Sequence, residues 1–167
     1  MLTLYYSRMK SPIGSLVVGV SGGGLAIIEF DKGEFPKGRL AQTAKWIESA
    51  ERTAPAIKEL REYFEGKRRE FTIPLDLRGT DFQKKCWRAL LKIPYGRTRS
   101  YAQIAKTVGC PQGFRAVGMA NHDNPVPIIV PCHRVLNSDG KLGGYGGGLD
   151  VKRKLLELEG ALQPTLL

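Results

Sequence analysis

Histidine and cysteine are scarce in this chain, with two of the first and three of the second among 167 residues. Neither a Cys-x-x-Cys nor a His-x-x-x-His pair occurs, so the ligand spacing of a zinc site is missing and no metal is expected. Long apolar runs are missing too. None approaches the ~20 residues that cross a bilayer, which argues against a membrane span. The N-terminus lacks the charged, apolar and small-residue order of a secretory signal. An odd cysteine count in that setting predicts reduced thiols in an intracellular, most simply a cytoplasmic, protein. Acidic residues are few: 16 Asp and Glu stand against 26 Lys and Arg, for a net charge of +10. The imbalance is uneven, with 12 basic against 9 acidic groups in residues 1–74 but 14 against 7 in residues 75–167. A basic half attracts polyanions through phosphate neutralisation and counterion release, although a solvated surface with no partner has the same composition.

What is present suffices for a core. Apolar residues make up 42% and charged residues 25% of the chain, a balance of globular rather than disordered proteins. One domain or two small ones are expected at this length. Residues 2–6, 15–20 and 25–30 read as short strands, and Ser21-Gly22-Gly23-Gly24 reads as the hairpin turn joining the last two. A helix is predicted over residues 55–64, with Ile57, Leu60 and Phe64 at helical spacing and Gly66 beyond the end. Phe71 and Ile73, alternating before Pro74, predict one more strand. Residues 1–75 thus read as a β-rich lobe, with 76–79 as a linker.

Residues 80–162 read as a second, mainly helical domain. Thr80 and Gln83 fit a capping box, and Phe82, Cys86, Leu90 and Ile93 form one apolar stripe, which makes Cys86 a packing residue. Pro94-Tyr95-Gly96 ends that helix. Residues 100–109 and 111–120 read as two short helices around a Gly-bearing turn, the pattern of a helix-turn-helix. Arg115, near the start of the second, supplies the cation a nucleic-acid reader needs. Cys110 falls in the turn and has no evident chemistry. Pro127-Ile128-Ile129-Val130 reads as a buried strand and residues 137–140 as a turn. Gly143-Gly144-Tyr145-Gly146-Gly147-Gly148 suits neither a helix nor a strand interior, but lets backbone approach a flat ligand closely. It lacks the spacing of a phosphate-binding loop. The last helix, capped by Asp150, is expected to turn Val151, Leu155 and Leu158 inward and to end near Gly160.

The block Pro131-Cys132-His133-Arg134-Val135 carries the chemistry. A thiol buried after an apolar run is ordinarily inert, because desolvation disfavours the thiolate that is the nucleophile. An imidazole beside it supplies a base. Glu159, one turn after Leu155, is either a solvated helix-end residue or an inward carboxylate that orients His133, leaving the other ring nitrogen for the proton of Cys132. A cysteine hydrolase uses the same trio, but it needs an oxyanion site that the sequence does not display. A helix-turn-helix module that only binds is the other reading of these residues.

With Arg115-Ala116-Val117-Gly118 and Asn124-Pro125-Val126-Pro127-Ile128-Ile129-Val130 preceding it, this block resembles the signature of the O6-alkylguanine-DNA alkyltransferases, or methylated-DNA–protein-cysteine methyltransferases. Phe82-Gln83, Trp87, Ile93-Pro94-Tyr95-Gly96 and Ser100-Tyr101 match as well. The resemblance covers essentially all of residues 80–160 and is looser over 1–74. It implies an α+β protein: an N-terminal ribonuclease-H-like antiparallel β-sheet lobe and a helical domain with a DNA-binding helix-turn-helix. The implied activity is single-turnover repair of O6-alkylguanine, and of O4-alkylthymine, in double-stranded DNA. A monomer without cofactor would bind through the minor groove and flip the base out.

The resemblance also implies a role for each residue. Cys132 takes the alkyl group, and His133, polarised by Glu159, removes the thiol proton through a water. Tyr101 donates to a guanine ring nitrogen, and Asn124 braces the turn before Cys132. Arg115 fills the gap in the stack, and Ser138 touches the DNA backbone. Tyr145 walls the pocket, the Gly146 amide faces O6, and the carbonyls of Val135 and Cys132 accept from the exocyclic amine. Small residues Gly113, Ala116 and Gly118 permit close approach to the groove. Two positions depart from the family's pattern: Gly146, where many relatives carry Ser, and Phe114, where a smaller residue is usual.

Overall fold

The computed structural model describes residues 1–33, 35–36 and 38–163, which form two compact units, Met1–Arg78 and Gly79–Leu167. In the first, strands β1 (Thr3–Ser11), β2 (Gly14–Ser21) and β3 (Gly24–Phe30) run antiparallel in sequence order. Leu16, Val17, Val18 and Val20 of β2 and Leu25, Ala26, Ile27 and Ile28 of β3 are buried without alternation, as in strands covered on both faces. The sheet is not purely antiparallel. Strand β4 (Lys45–Glu48) joins β1 in parallel, giving the order β3-β2-β1-β4. Lys45-Trp46-Ile47-Glu48 has no period-2 apolar pattern and so leaves no signal in the sequence. A parallel pair needs a crossover rather than a hairpin, and helix α1 (Arg39–Thr43) lies in it.

Helix α2 (Ala50–Phe64) starts before the expected position because Ser49 caps it, accepting from the Arg52 amide at 3.2 Å. Pro55 therefore sits inside the helix rather than at its start. No strand forms at residues 71–73. The amides of Thr72 and Ile73 donate instead to the buried Glu59 carboxylate, at 2.8 and 3.2 Å, so the chain is held by a side chain where a strand partner was expected.

In the second unit, helix α3 (Asp81–Leu91) opens on the predicted capping box: Thr80 Oγ1 accepts from the Gln83 amide at 3.1 Å, and Gln83 Oε1 accepts from the Thr80 amide at 2.9 Å. Cys86 is fully buried in it, and buried Trp87 donates from Nε1 to Ala120 O at 2.8 Å. Helix α4 (Tyr101–Thr107) has a second capping box, Ser100 with Gln103. Helix α5 (Phe114–His122) begins at Phe114 rather than at residue 111. The preceding turn closes through Gly113 N to Cys110 O at 2.7 Å, and a Cβ on Gly113 would lie 2.6 Å from Cys110 Sγ. The smallness of Gly113 thus serves the turn.

Residues 127–130 are not a strand. They form a tight turn with a Pro127–Val130 bridge, and Ile128 has φ of 78°. The apolar run reports burial correctly, since Val126, Ile128 and Val130 are fully buried, but a run of this length does not report conformation. A 3-10 turn over Cys132–Arg134 follows, then β5 (Arg99–Ser100) pairs in parallel with β6 (Val135–Leu136). Helix α6 (Leu149–Leu158) has Gly148 at its N-cap; Asp150 lies in its first turn and does not cap it. Leu158 is 37% exposed, and the inward face is Lys152, Leu155 and Leu156. No helix among the described residues is long and apolar enough to cross a membrane.

Candidate active site

The β5–β6 ladder sets Ser100, the cap of α4, beside the segment that leaves Cys132 and His133, and so brings Tyr101 to the sulfur. The sulfur's own position is made by Asn124. Its Oδ1 accepts from the Val126 amide at 2.9 Å, and its Nδ2 donates to Val130 O at 2.8 Å and to Cys132 Sγ at 3.1 Å. One side chain thereby folds the turn and fixes the thiol. The left-handed backbone of β-branched Ile128 is costly, of order 1–3 kcal/mol, and is over-determined by this bracing and by complete burial. Cys132 borders a cavity of about 130 Å³, which Tyr101, Asn121, Tyr145 and Gly146 also line.

Behind the sulfur lies a closed charged cluster. His133 Nε2 is 2.8 Å from Glu159 Oε2, both side chains being wholly buried. Arg134 grips the same carboxylate with two bonds, Nε to Oε1 at 2.8 Å and Nη2 to Oε2 at 3.0 Å, and its Nη1 donates to Ile93 O at 2.7 Å. Burial alone would raise the Glu159 pKa, but hydrogen bonds from His133 and Arg134 hold it at about 2. An ionised carboxylate only accepts, so Nε2 carries the imidazole proton and Nδ1 presents its lone pair. Nδ1 has no hydrogen-bond partner among the described residues. Burial pulls the His133 pKa below its ordinary 6.5, Glu159 pulls it partly back, and Arg134 and Lys152 push it down again. At neutral pH the imidazole is an uncharged base.

Burial pushes the Cys132 thiol up to about 11, against the lowering effects of the Asn124 amide and the Lys152 charge. At pH 7 the thiolate is then roughly one part in 10⁴. The resting sulfur is protected, and its ionisation depends on the base. Tyr101 and Tyr145 are both raised by burial and by Cys132, Tyr145 well above its ordinary value, so both stay protonated donors.

Lys152 is completely buried. Its Nζ donates to Val135 O at 2.6 Å, to Gly144 O at 3.2 Å and, through a short bond, to Leu142 O. It ties the glycine-rich loop to the strand after the thiol. Burial lowers its pKa to about 8, and the charge survives at neutral pH. Sequence reasoning assigned no role to Lys152 or Arg134. A signal for Lys152 exists: Lys152, Leu155, Leu156 and Glu159 share the i, i+3, i+4, i+7 face of α6, so a cation sits in a buried stripe.

The structure gathers Cys132, His133, Glu159, Asn124, Tyr101, Tyr145 and Gly146 in one place. Val135 is fully buried but does not line the small cavity, and Lys152 already occupies one lone pair of its carbonyl. Arg115 and Ser138 are exposed and line a separate open cleft of about 700 Å³ with Phe114 and Gly118. Tyr101 and Gly144 border both spaces, so cleft and cavity adjoin.

Two family models match this chain: 6-O-methylguanine DNA methyltransferase, ribonuclease-like domain, over residues 4–77, and 6-O-methylguanine DNA methyltransferase, DNA binding domain, over residues 81–161. A methylated-DNA–protein-cysteine methyltransferase of Methanosarcina barkeri is 48% identical over 93% of this chain and 97% of its own. One from Mycobacterium tuberculosis is 46% identical over 97% and 96%. The crystal structure of Mycobacterium tuberculosis OGT in complex with DNA superposes with a TM-score of 0.83 at 45% identity, covering 94% of this chain and 93% of that one. Matched along both units, the chain belongs to the methylated-DNA–protein-cysteine methyltransferase family.

Proposed function

We propose that this protein repairs DNA by transferring an alkyl group from guanine O6 to Cys132 Sγ, once per molecule. The observation that carries this reading is the sulfur itself: it faces a cavity walled by two protonated tyrosines, with a neutral imidazole oriented by an ionised carboxylate behind it. His133 Nδ1 takes the thiol proton, through a water. The sulfur attacks the alkyl carbon, an S–C bond forms, and the C–O6 bond breaks with its electrons passing to guanine. Tyr101 donates to the ring nitrogen as that charge develops. The net change moves one proton from sulfur to guanine and leaves a thioether with no ready route off the protein. Consumption of the protein follows from that bond.

A base inside a duplex hides its O6 substituent, so the reading requires extrusion, at a few kcal/mol of lost stacking. Arg115, exposed on the wall of the cleft, supplies a planar cation for the gap. The relative solved in complex with DNA supports DNA as the partner. Gly118 supports a close approach of α5 to the minor groove. A Cβ there would meet no protein atom within 4 Å, yet the helix bears the ~1 kcal/mol that an interior glycine costs relative to alanine. Ser138, on the same cleft, is placed to meet a phosphate. Nothing in the reading requires more than one chain.

The decisive measurement is the mass of the Cys132 peptide after incubation with DNA containing O6-methylguanine. One added methyl group per protein, absent in Cys132→Ala, is the expected result. Recovery of unmodified protein after many turnovers would overturn it in favour of a hydrolase.

A further inference from the structure

We infer that Phe114 enters the duplex beside Arg115 as a second, apolar wedge, parting the base step next to the extruded guanine; this rests on the repair reading above. Phe114 is the first residue of α5 and is 49% exposed. Arg115 lies next to it, and both line the open cleft that shares Tyr101 with the cavity at Cys132. Among the described residues Phe114 makes no ring contact with another aromatic group or with a cation. The protein's own packing therefore leaves much of a large apolar ring in water, on the helix that also carries Gly118, where a Cβ would meet open space.

Chemistry selects the occupant. A phenyl ring beside a guanidinium offers a stacking surface and a charge, the combination that suits an unstacked base next to phosphates. Apolar wedges on minor-groove proteins part base steps in this way, so that unstacking is compensated by wider contact. Arg115 can fill only one gap. Extrusion also exposes the neighbouring step, and the adjacent residue on the same turn is the ring. The excess of 14 basic over 7 acidic groups in residues 75–167 favours a polyanion on this surface over an apolar peptide.

The test uses Phe114→Ala, Phe114→Leu and Phe114→Trp in the full chain. Two readouts are taken: the rate of Cys132 alkylation by duplex O6-methylguanine DNA relative to that by free O6-benzylguanine, and the fluorescence of 2-aminopurine placed beside the lesion. Phe114→Ala should lower the duplex-to-free-base ratio about tenfold or more and dim the fluorescence rise that reports unstacking. Phe114→Leu should fall between, and Phe114→Trp should keep both signals. An unchanged ratio and unchanged fluorescence in Phe114→Ala would overturn the wedge. Equal losses on both substrates would overturn it too, because Phe114 would then shape the pocket. Failure of the unsubstituted chain to gain an alkyl group on Cys132 would instead sink the repair reading itself.

Discussion

Among the described residues each unit buries one glutamate, and the two are used differently. Glu59, 8% exposed, holds the segment after its helix: its carboxylate accepts from the Thr72 and Ile73 amides and from the Thr72 hydroxyl at 2.5 Å, with Arg68 at 3.6 Å. Glu159, 5% exposed, accepts from two side chains, one of them a titratable base next in the chain to a nucleophile that borders a cavity. Both pKa values lie below the ordinary 4.5 despite the opposing effect of burial. The depressed pKa therefore does not distinguish them. What does is the partner: a carboxylate that satisfies amides holds a loop, whereas one that orients an imidazole beside a thiol tunes a reaction.

Exchanging each carboxylate for an amide is the sharpest way to break this comparison. Glu159→Gln should slow alkylation roughly 10²- to 10⁴-fold, since His133 loses the partner that fixes its tautomer. It should also cost about 3–5 kcal/mol of stability, because Arg134 is left buried without its counter-charge. Glu59→Gln should cost about 1–3 kcal/mol in urea unfolding, with the rate per folded molecule intact. A Glu59→Gln protein that is stable but slow would erase the distinction.

Lys152→Met comes next. Three carbonyls lose their donor and the loop bearing Tyr145 and Gly146 loosens, so single-turnover rates on duplex and free base should fall together, roughly 10- to 100-fold. A loss confined to duplex DNA would place Lys152 in DNA binding instead.

Acid should separate the units. Glu159, at about 2 when folded against 4.5 in an open chain, stabilises the second unit above pH 4.5, and that contribution drains as pH falls toward 2. His133 acts earlier. Its folded pKa lies below 6.5, so under pH 6.5 the unfolded chain takes up a proton the folded chain refuses, and stability drops. The first unit contains no histidine, and its Glu59 contribution is lost only below 4.5. Amide exchange between pH 7 and pH 4 should show the second unit losing protection first. Alkylation should fall with acid on an inflection below 6.5, and Glu159→Gln should move that inflection lower still.

The smallest effect contrasts fold with function. Gly118→Ala should stabilise the protein by about 1 kcal/mol, read as a higher Tm, while weakening affinity for duplex DNA. A gain in both would remove the groove-contact explanation for this glycine.

The sequence made the chemistry legible because its elements are contiguous. Pro131-Cys132-His133-Arg134-Val135 puts thiol and base side by side, and Glu159 stands on an apolar helical face. The Thr80 and Ser100 caps are local, and the strands built on Leu16–Val20 and Leu25–Ile28 are the most apolar runs of the first unit. Failures came where a distant group decided the outcome. Residues 71–73 alternate like a strand but are held by Glu59; residues 127–130 look like one but are folded back by Asn124; β4 has no pattern and exists because β1 offers an edge.

Local order in the chain thus determined the capped starts of α3 and α4, the first three strands and the identity of the reacting group, since caps, periodicity and neighbouring residues act over a few positions. Tertiary structure alone decided that Arg134 and Lys152 are buried cations, that the thiol is held near 11, and that Tyr101 joins an open cleft to the reacting cavity. Desolvation and charge pairing depend on what surrounds a group in space, and residues far apart in the chain supply those surroundings.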